Sequence, residues 1–198
     1  MRFRAVLTGA SGGIGRAMAA ALGPHCDSLV LVGRDKARLS PIDGKSFPLA
    51  ADITTAQGRD AVASAAPGIN LLINNAGVSE FVAFAAQSDA SMERMFAVNV
   101  LAAMQLTRRL LPALLAQPAA MVVNVGSIMG YLGYPGHAAY SASKFALVGL
   151  SDGLRAELIA LREIGAFVRR HTSGVPTIAV MRPSRNANAM LVWVGSSR

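Results

Sequence analysis

The sequence predicts an α/β fold of three layers, a doubly wound parallel sheet with helices on both faces. Three observations predict it. Short runs that are apolar at nearly every position, rather than at alternate ones, recur along the chain, and such runs belong to strands buried on both faces of a parallel sheet. Segments of helical composition separate these runs, and right-handed crossovers then wind the sheet in both directions. The 198 residues are 53% hydrophobic and 15% charged, a composition and length that suit one packed domain with neither an internal repeat nor a linker.

The elements follow in order. Phe3–Thr8 (FRAVLT) is the first strand, and GGIGRAMAAALG after it is a helix closed by Gly23 and Pro24. Residues 28–33 (SLVLVG) form a second strand and residues 46–52 (SFPLAAD) a third. Residues 54–66 form a helix stopped by Pro67 and Gly68, and residues 69–74 (INLLIN) a fourth strand. A long helical pattern runs from Ser91, the expected N-cap, to about Gln117, with Pro112 expected to bend it. Residues 119–127 (AAMVVNVGS) are the fifth strand, and residues 138–161 the next helix. The pattern then loosens into an arginine-rich segment without lysine, in which PTIAVM is the one strand expected. Residues 1–161 are read as the working part of the domain and residues 162–198 as an atypical C-terminal segment of it.

Composition removes several function classes. The N-terminus lacks the apolar h-region of an export signal. Residues 110–143 carry no Asp, Glu, Lys or Arg, but prolines and glycines interrupt them, so they read as buried core and no membrane partner is expected. Cys26 is the only cysteine, which excludes an internal disulfide and suits a reducing, cytoplasmic location. The formal charge of +8 is spread without a stripe or interleaved aromatics, so no nucleic-acid partner is expected. His25 and His171 are too isolated to read as metal ligands, and no metal site is expected.

The turn TGASGGIG, Thr8 to Gly15, stands between the first strand and first helix. A strand delivers the chain there, glycines let the backbone approach a pyrophosphate, and helix amides face the anion. This is a Rossmann-like dinucleotide site. At the end of the second strand, Gly33 stands where an acid would accept from ribose hydroxyls, and Arg34 follows. A guanidinium grips phosphate, so NADP is the expected cofactor. In the alternative, Arg34 is a solvated loop charge and Asp35 serves the ribose of NAD. Tyr140 and Lys144 lie at i and i+4 of one helix and share a face, which suits an acid and a cation that lowers its pKa. Tyr131, Tyr134 and His137 either line a substrate pocket or pack a loop.

The spacing Thr-Gly-x-x-x-Gly-x-Gly, then NNAG (residues 74–77), Asn99 in FAVNV, Ser127 and YSASK (residues 140–144) resemble, in order, the short-chain dehydrogenase/reductase family. The resemblance spans about residues 3 to 160. It implies an oxidoreductase acting on a small carbonyl or alcohol substrate, with Tyr140 exchanging the proton, Ser127 orienting the substrate oxygen, Lys144 holding the nicotinamide ribose and Asn99 positioning a relay water. It implies cofactor contacts from Thr8, Gly9, Ser11, Gly13, Ile14, Gly15, Arg34, Asp52, Ile53, Asn75, Ala76 and Gly77, with Tyr140 and Lys144. Asp52 would contact adenine; the alternative is that it caps the following helix. A homo-oligomer would form through the long helices.

The resemblance fails after residue 161. RPSRNANAM carries Ser184 and Asn188 where the family has glycine and threonine, and the family's last strand and most of its substrate lid have no counterpart. A shifted reading frame would account for the change, and translating the other two frames of the gene past codon 160 tests that origin. The second functional reading is accordingly a dinucleotide-binding protein with little or no turnover.

Overall fold

The computed structural model describes residues 2–42, 44–169 and 189–195, with side chains as far as residue 158. Six strands form one sheet: β1 (Phe3–Thr8), β2 (Cys26–Gly33), β3 (Ser46–Ala50), β4 (Leu71–Asn74), β5 (Ala119–Val125) and β6 (Ala189–Gly195). Their order is β3-β2-β1-β4-β5-β6, and the first five are mutually parallel. The helices are α1 (Gly13–Leu22), α2 (Ala56–Ala65), α3 (Asp89–Phe96), α4 (Ala102–Leu115) and α5 (Ala138–Arg169).

Solid apolar runs give β1 and β2 buried residues on both faces. On β1, Val6 enters the core beneath α2 and α4, while Ala5 and Leu7 enter the core beneath α1. On β2, Val30 and Val32 divide in the same way from Leu29 and Leu31. Leu106, Leu110 and Leu114 follow i, i+4, i+8 spacing along α4 and are fully buried. Each contributes roughly 1.5–3 kcal/mol from burial. Cys26 is buried in the α1-side core, as its size suggests.

The structure corrects four details of the sequence reading. Ser88, not Ser91, caps α3, its side chain accepting from the Ser91 amide. The long helix of residues 91–117 is two helices joined by a π-helical turn, Ala97–Leu101, and Pro112 lies inside α4. Helix α5 runs past residue 161 to Arg169. The sheet is not parallel throughout: β6 pairs antiparallel with β5, Ala119 opposite Gly195 and Val125 opposite Ala189. The apolar, β-rich sequence AMLVWVG is able to pair with the edge that β5 offers. The expected PTIAVM strand lies outside the described residues, and among the described residues no strand lies beyond β6.

The order reverses direction at β1, whose neighbours are β2 on one side and β4 on the other. Crossovers leave in opposite directions from this point, so a crevice opens at the carboxyl ends of β1 and β4.

Candidate active site

The crevice is lined first by main chain. Gly9 has φ +65°, and a Cβ on it would fall 2.7 Å from the Ala76 Cα. A Cβ on Gly15 would overlap the Gly9 carbonyl oxygen, so the first turn of α1 can approach the turn after β1 only without a side chain there. At Gly13 a Cβ would meet nothing within 4 Å, which leaves the helix entrance open. Gly12 occupies the N-cap of α1 without a side-chain cap, and the first turn holds no acid. The exposed amides and positive end of the helix are therefore free to meet an anion.

Side chains lock this turn to the end of β4. The Thr8 hydroxyl donates to the Ile73 carbonyl at 3.2 Å and accepts from the amides of Asn75 and Ala76, each at 3.0 Å. Asn75 Nδ2 returns the contact, donating to the carbonyls of Thr8 at 2.9 Å and Gly9 at 3.1 Å. The Thr8 hydroxyl and Asn75 Nδ2 thus both bond to backbone.

The resulting cavity has a volume of about 550 Å3, within the range of small-molecule and cofactor sites. Thr8, Gly9, Ser11, Gly13, Ile14, Gly15, Arg34, Asp52, Ile53, Asn75, Ala76 and Gly77 all line it. Asp52 Oδ1 accepts from the Thr54 hydroxyl at 2.7 Å and the Thr54 amide at 2.9 Å. These bonds outweigh the opposing effect of desolvation and, with the smallest contribution from the Arg34 guanidinium, hold its carboxyl below the usual carboxylate range. Helix α2 is capped by Thr55, whose hydroxyl accepts from the Gly58 amide, so the Asp52 side chain does not serve as its N-cap. The Asp35 side chain accepts from the Ala37 amide at 3.0 Å and caps a short 3-10 turn; it is not part of the cavity lining.

Arg94 and Val98 also line the cavity, and sequence reasoning missed both. They lie one turn apart before Asn99, so their i, i+4 spacing was the available signal.

Asn99, Ser127, Tyr140 and Lys144 are not in the lining of this cavity; Tyr140 and Lys144 stand on α5 beside it. Lys144 is only 5% exposed, its Nζ donates to the Val125 carbonyl at 2.9 Å, and it lies 5.8 Å from the Tyr140 ring centroid. Burial lowers its pKa from 10.5 to about 8. Ser127 follows β5 and is half-buried, its hydroxyl accepting from the Met129 amide at 3.2 Å. Asn99 sits in the π-helical turn, a local widening that re-aims side chains. Its Oδ1 accepts from the Val78 amide at 2.8 Å, and its Nδ2 donates to the Val78 carbonyl at 2.9 Å and to Ser143 Oγ at 3.0 Å. Asn99 thus joins three segments: its own helix, the exit of β4 and the helix of Tyr140. A Cβ on Gly77 would lie 3.4 Å from Asn99 Oδ1 and 3.8 Å from Lys144 Nζ, which brings the NNAG segment against this corner.

A buried polar chain beneath the corner was not anticipated. Asn74 Nδ2 donates to Thr107 Oγ1 at 2.9 Å and Asn124 Oδ1 at 2.8 Å, and Asn124 Nδ2 donates to Ser151 Oγ at 2.7 Å. It links β4, β5, α4 and α5. Among the described residues no group of three or more His, Cys, Asp or Glu could hold a metal ion, and no helix is long and apolar enough to cross a membrane.

The chain is similar in sequence and fold to known proteins. Ketoacyl reductase HetN of Nostoc sp. is 31% identical over 94% of this chain and 73% of its own length. Nodulation protein G of Rhizobium sp. is 34% identical over 81% of this chain and 69% of its own. Among solved structures, a metagenomic short-chain oxidoreductase in complex with NADP superposes with a TM-score of 0.73 at 33% identity, covering 79% of this chain and 76% of that one. A short-chain dehydrogenase/reductase from Burkholderia phymatum in complex with NAD gives 0.75 at 31% identity, and this chain spans 60% of its length. The short chain dehydrogenase family model matches residues 4–165, nearly the whole stretch that builds the crevice, and the chain belongs to the short-chain dehydrogenase/reductase family of oxidoreductases.

Proposed function

We propose that the protein is an NADP-preferring reductase or dehydrogenase that interconverts a carbonyl compound and its alcohol, with Tyr140 as the proton-transfer group. The observation that carries the reading is the adjacency of two sites: the main-chain anion site at α1 with its 550 Å3 cavity, and the pairing of Tyr140 with the buried Lys144, which lies against Gly77 of the cavity lining. The open space at Gly13 and the uncapped amides of α1 fit the cofactor's pyrophosphate. The solved relatives bound to NADP and NAD support a nicotinamide dinucleotide. Arg34, lining the cavity next to Gly33, where the acid of an NAD site would stand, supports the 2′-phosphate.

When bound, the nicotinamide supplies the hydride donor or acceptor. Tyr140 gives its phenolic proton to the substrate oxygen in reduction and takes one back in oxidation. Ser127 hydrogen-bonds that oxygen and orients it. The Lys144 ammonium favours the phenolate electrostatically and would hold the nicotinamide ribose. Asn99 acts as a positioning residue: both hydrogens of its amide are engaged by Val78 and Ser143, so the relay water needs its Oδ1 or main chain. Exposed Leu101 and Met104 near α4 and Phe145 on α5 support a homo-oligomer through the long helices, for which light scattering would give a mass of at least twice 20.5 kDa.

Fluorescence titration with NADPH and NADH, followed by turnover on a panel of ketones, aldehydes and secondary alcohols, tests the reading. The expected result is tighter NADPH binding, weakened by Arg34→Asp, and turnover that Tyr140→Phe lowers roughly 10²- to 10⁴-fold. Binding without turnover would favour the dinucleotide-binding alternative, and turnover unchanged in Tyr140→Phe would remove the tyrosine from the reaction.

A further inference from the structure

The loop after NNAG holds a large aromatic side chain in the open. Phe81 is 76% exposed, although its loop is fixed from several sides. Asn99 holds both main-chain polar groups of Val78, Ser91 donates to the Glu80 carboxylate, and the Val82 amide donates to the Gly136 carbonyl at 2.9 Å. The Phe81 ring lies over Gly136, where φ is +75° and a Cβ would come within 2.5 Å of the ring. An uncovered phenyl ring forgoes the stabilisation that burial gives, and this one is joined through His137 to a second exposed ring, Tyr134, so that the two form a patch.

That ring begins an aromatic run that ends at Tyr140. The Phe81 and His137 centroids are 5.1 Å apart, those of His137 and Tyr140 6.1 Å, and Tyr134 meets His137 edge-on at 6.1 Å. Among the described residues His137 Nδ1 is buried without a hydrogen-bond partner, so ring contacts are what the structure gives to hold the imidazole. The run presents ring surface beside the group that exchanges the substrate's proton.

We infer that Phe81, Tyr134 and His137, rings inclined 45–61° to one another, form an aromatic wall selecting carbonyl substrates that carry an aryl group next to the carbonyl. The inference rests on the proposed role of Tyr140. With the substrate oxygen at Tyr140, an adjacent substituent extends along the run, where stacked or edge-on ring contacts favour a planar group over a puckered one of equal size. Phe81 and His137 are then specificity residues.

The test compares acetophenone with cyclohexyl methyl ketone, matched in size and differing in flatness. Saturation-transfer NMR on the NADP⁺-loaded protein, which has no hydride to give, reads binding without turnover. Acetophenone is expected to bind several-fold more tightly, and Phe81→Ala to remove roughly two- to tenfold of its affinity. Phe81→Leu, which keeps bulk but not flatness, should also lose the preference, with NADP⁺ affinity unchanged in both variants. Equal binding of the two ketones, or a preference unchanged in Phe81→Leu, overturns the wall. Turnover with NADPH separates the two ideas. Intact aryl preference in binding without turnover leaves the wall and removes the role of Tyr140; turnover of both ketones with equal kcat/KM does the reverse.

Discussion

The cavity at the glycine turn and the neighbouring corner at Tyr140 are built by opposite means. Around Gly9 and Gly15 the site consists of main chain, shaped by absent side chains and locked by Thr8 and Asn75. Around Tyr140 it consists of side chains, held on α5 and tied through Asn99 to the exit of β4. A main-chain site fails when atoms are added, and a side-chain site fails when atoms are removed. The first therefore records its requirement as glycine, the second as particular functional groups.

The largest expected effects come from exchanging these two kinds of damage. Gly15→Ala adds one methyl group against the Gly9 carbonyl, and overpacking of that kind typically costs about 1–3 kcal/mol. Its effect should fall on the cofactor: dinucleotide affinity is expected to drop by about tenfold or more, with melting temperature lowered. Tyr140→Phe removes one oxygen. Its expected loss of kcat/KM is roughly 10²- to 10⁴-fold, with dinucleotide affinity within about twofold of the native protein. Titration and steady-state kinetics on both variants would break the comparison if either change harmed both functions equally.

Lys144 gives a smaller effect that sharpens the side-chain half. Burial lowers its pKa from 10.5 to about 8, a difference of about 3 kcal/mol between protonation states. The unfolded chain thus binds the extra proton between about pH 8 and 10.5. Stability contributed by this group rises with pH across that window and is lost as pH falls through 8. Urea unfolding of the cofactor-free protein should show the native protein gaining on Lys144→Met by up to about 3 kcal/mol across the window. Parallel stability curves would show that the ammonium is not desolvated in the folded chain.

The same contrast explains what was legible in the sequence. Gly9 and Gly15 are visible because steric exclusion leaves one permitted residue, and Tyr140 with Lys144 because helical periodicity links positions four apart. Five strands were readable because burial on both faces demands solid apolar runs. Arg94 and Phe81 were not, since each matters through residues distant in sequence: Arg94 through the cavity it lines with the glycine turn, Phe81 through Gly136. Nor was the chain Asn74–Asn124–Ser151, whose polar residues sit inside apolar segments and find partners only across the sheet. The cap at Ser88 lost to Ser91 because both precede helical residues, and the antiparallel β6 because pairing direction leaves no trace in composition.

Thr8→Val is the smallest perturbation and probes whether the main-chain site needs its lock. Valine keeps nearly the same volume and β-branching, so β1 should retain its pairing and the core its packing. It removes one donor and one acceptor, leaving the Asn75 and Ala76 amides without their partner and the Ile73 carbonyl without this donor. Each unsatisfied buried group costs about 1–3 kcal/mol where water cannot replace the partner. Asn75 Nδ2 still bridges to Thr8 and Gly9 carbonyls, and water can reach the amides from the cavity, so a total near 1–2 kcal/mol is expected. The accompanying loss of dinucleotide affinity should be a few-fold, because the glycines still shape the turn. A loss as large as that of Gly15→Ala would mean that the hydroxyl, rather than the missing side chains, determines the shape of the anion site.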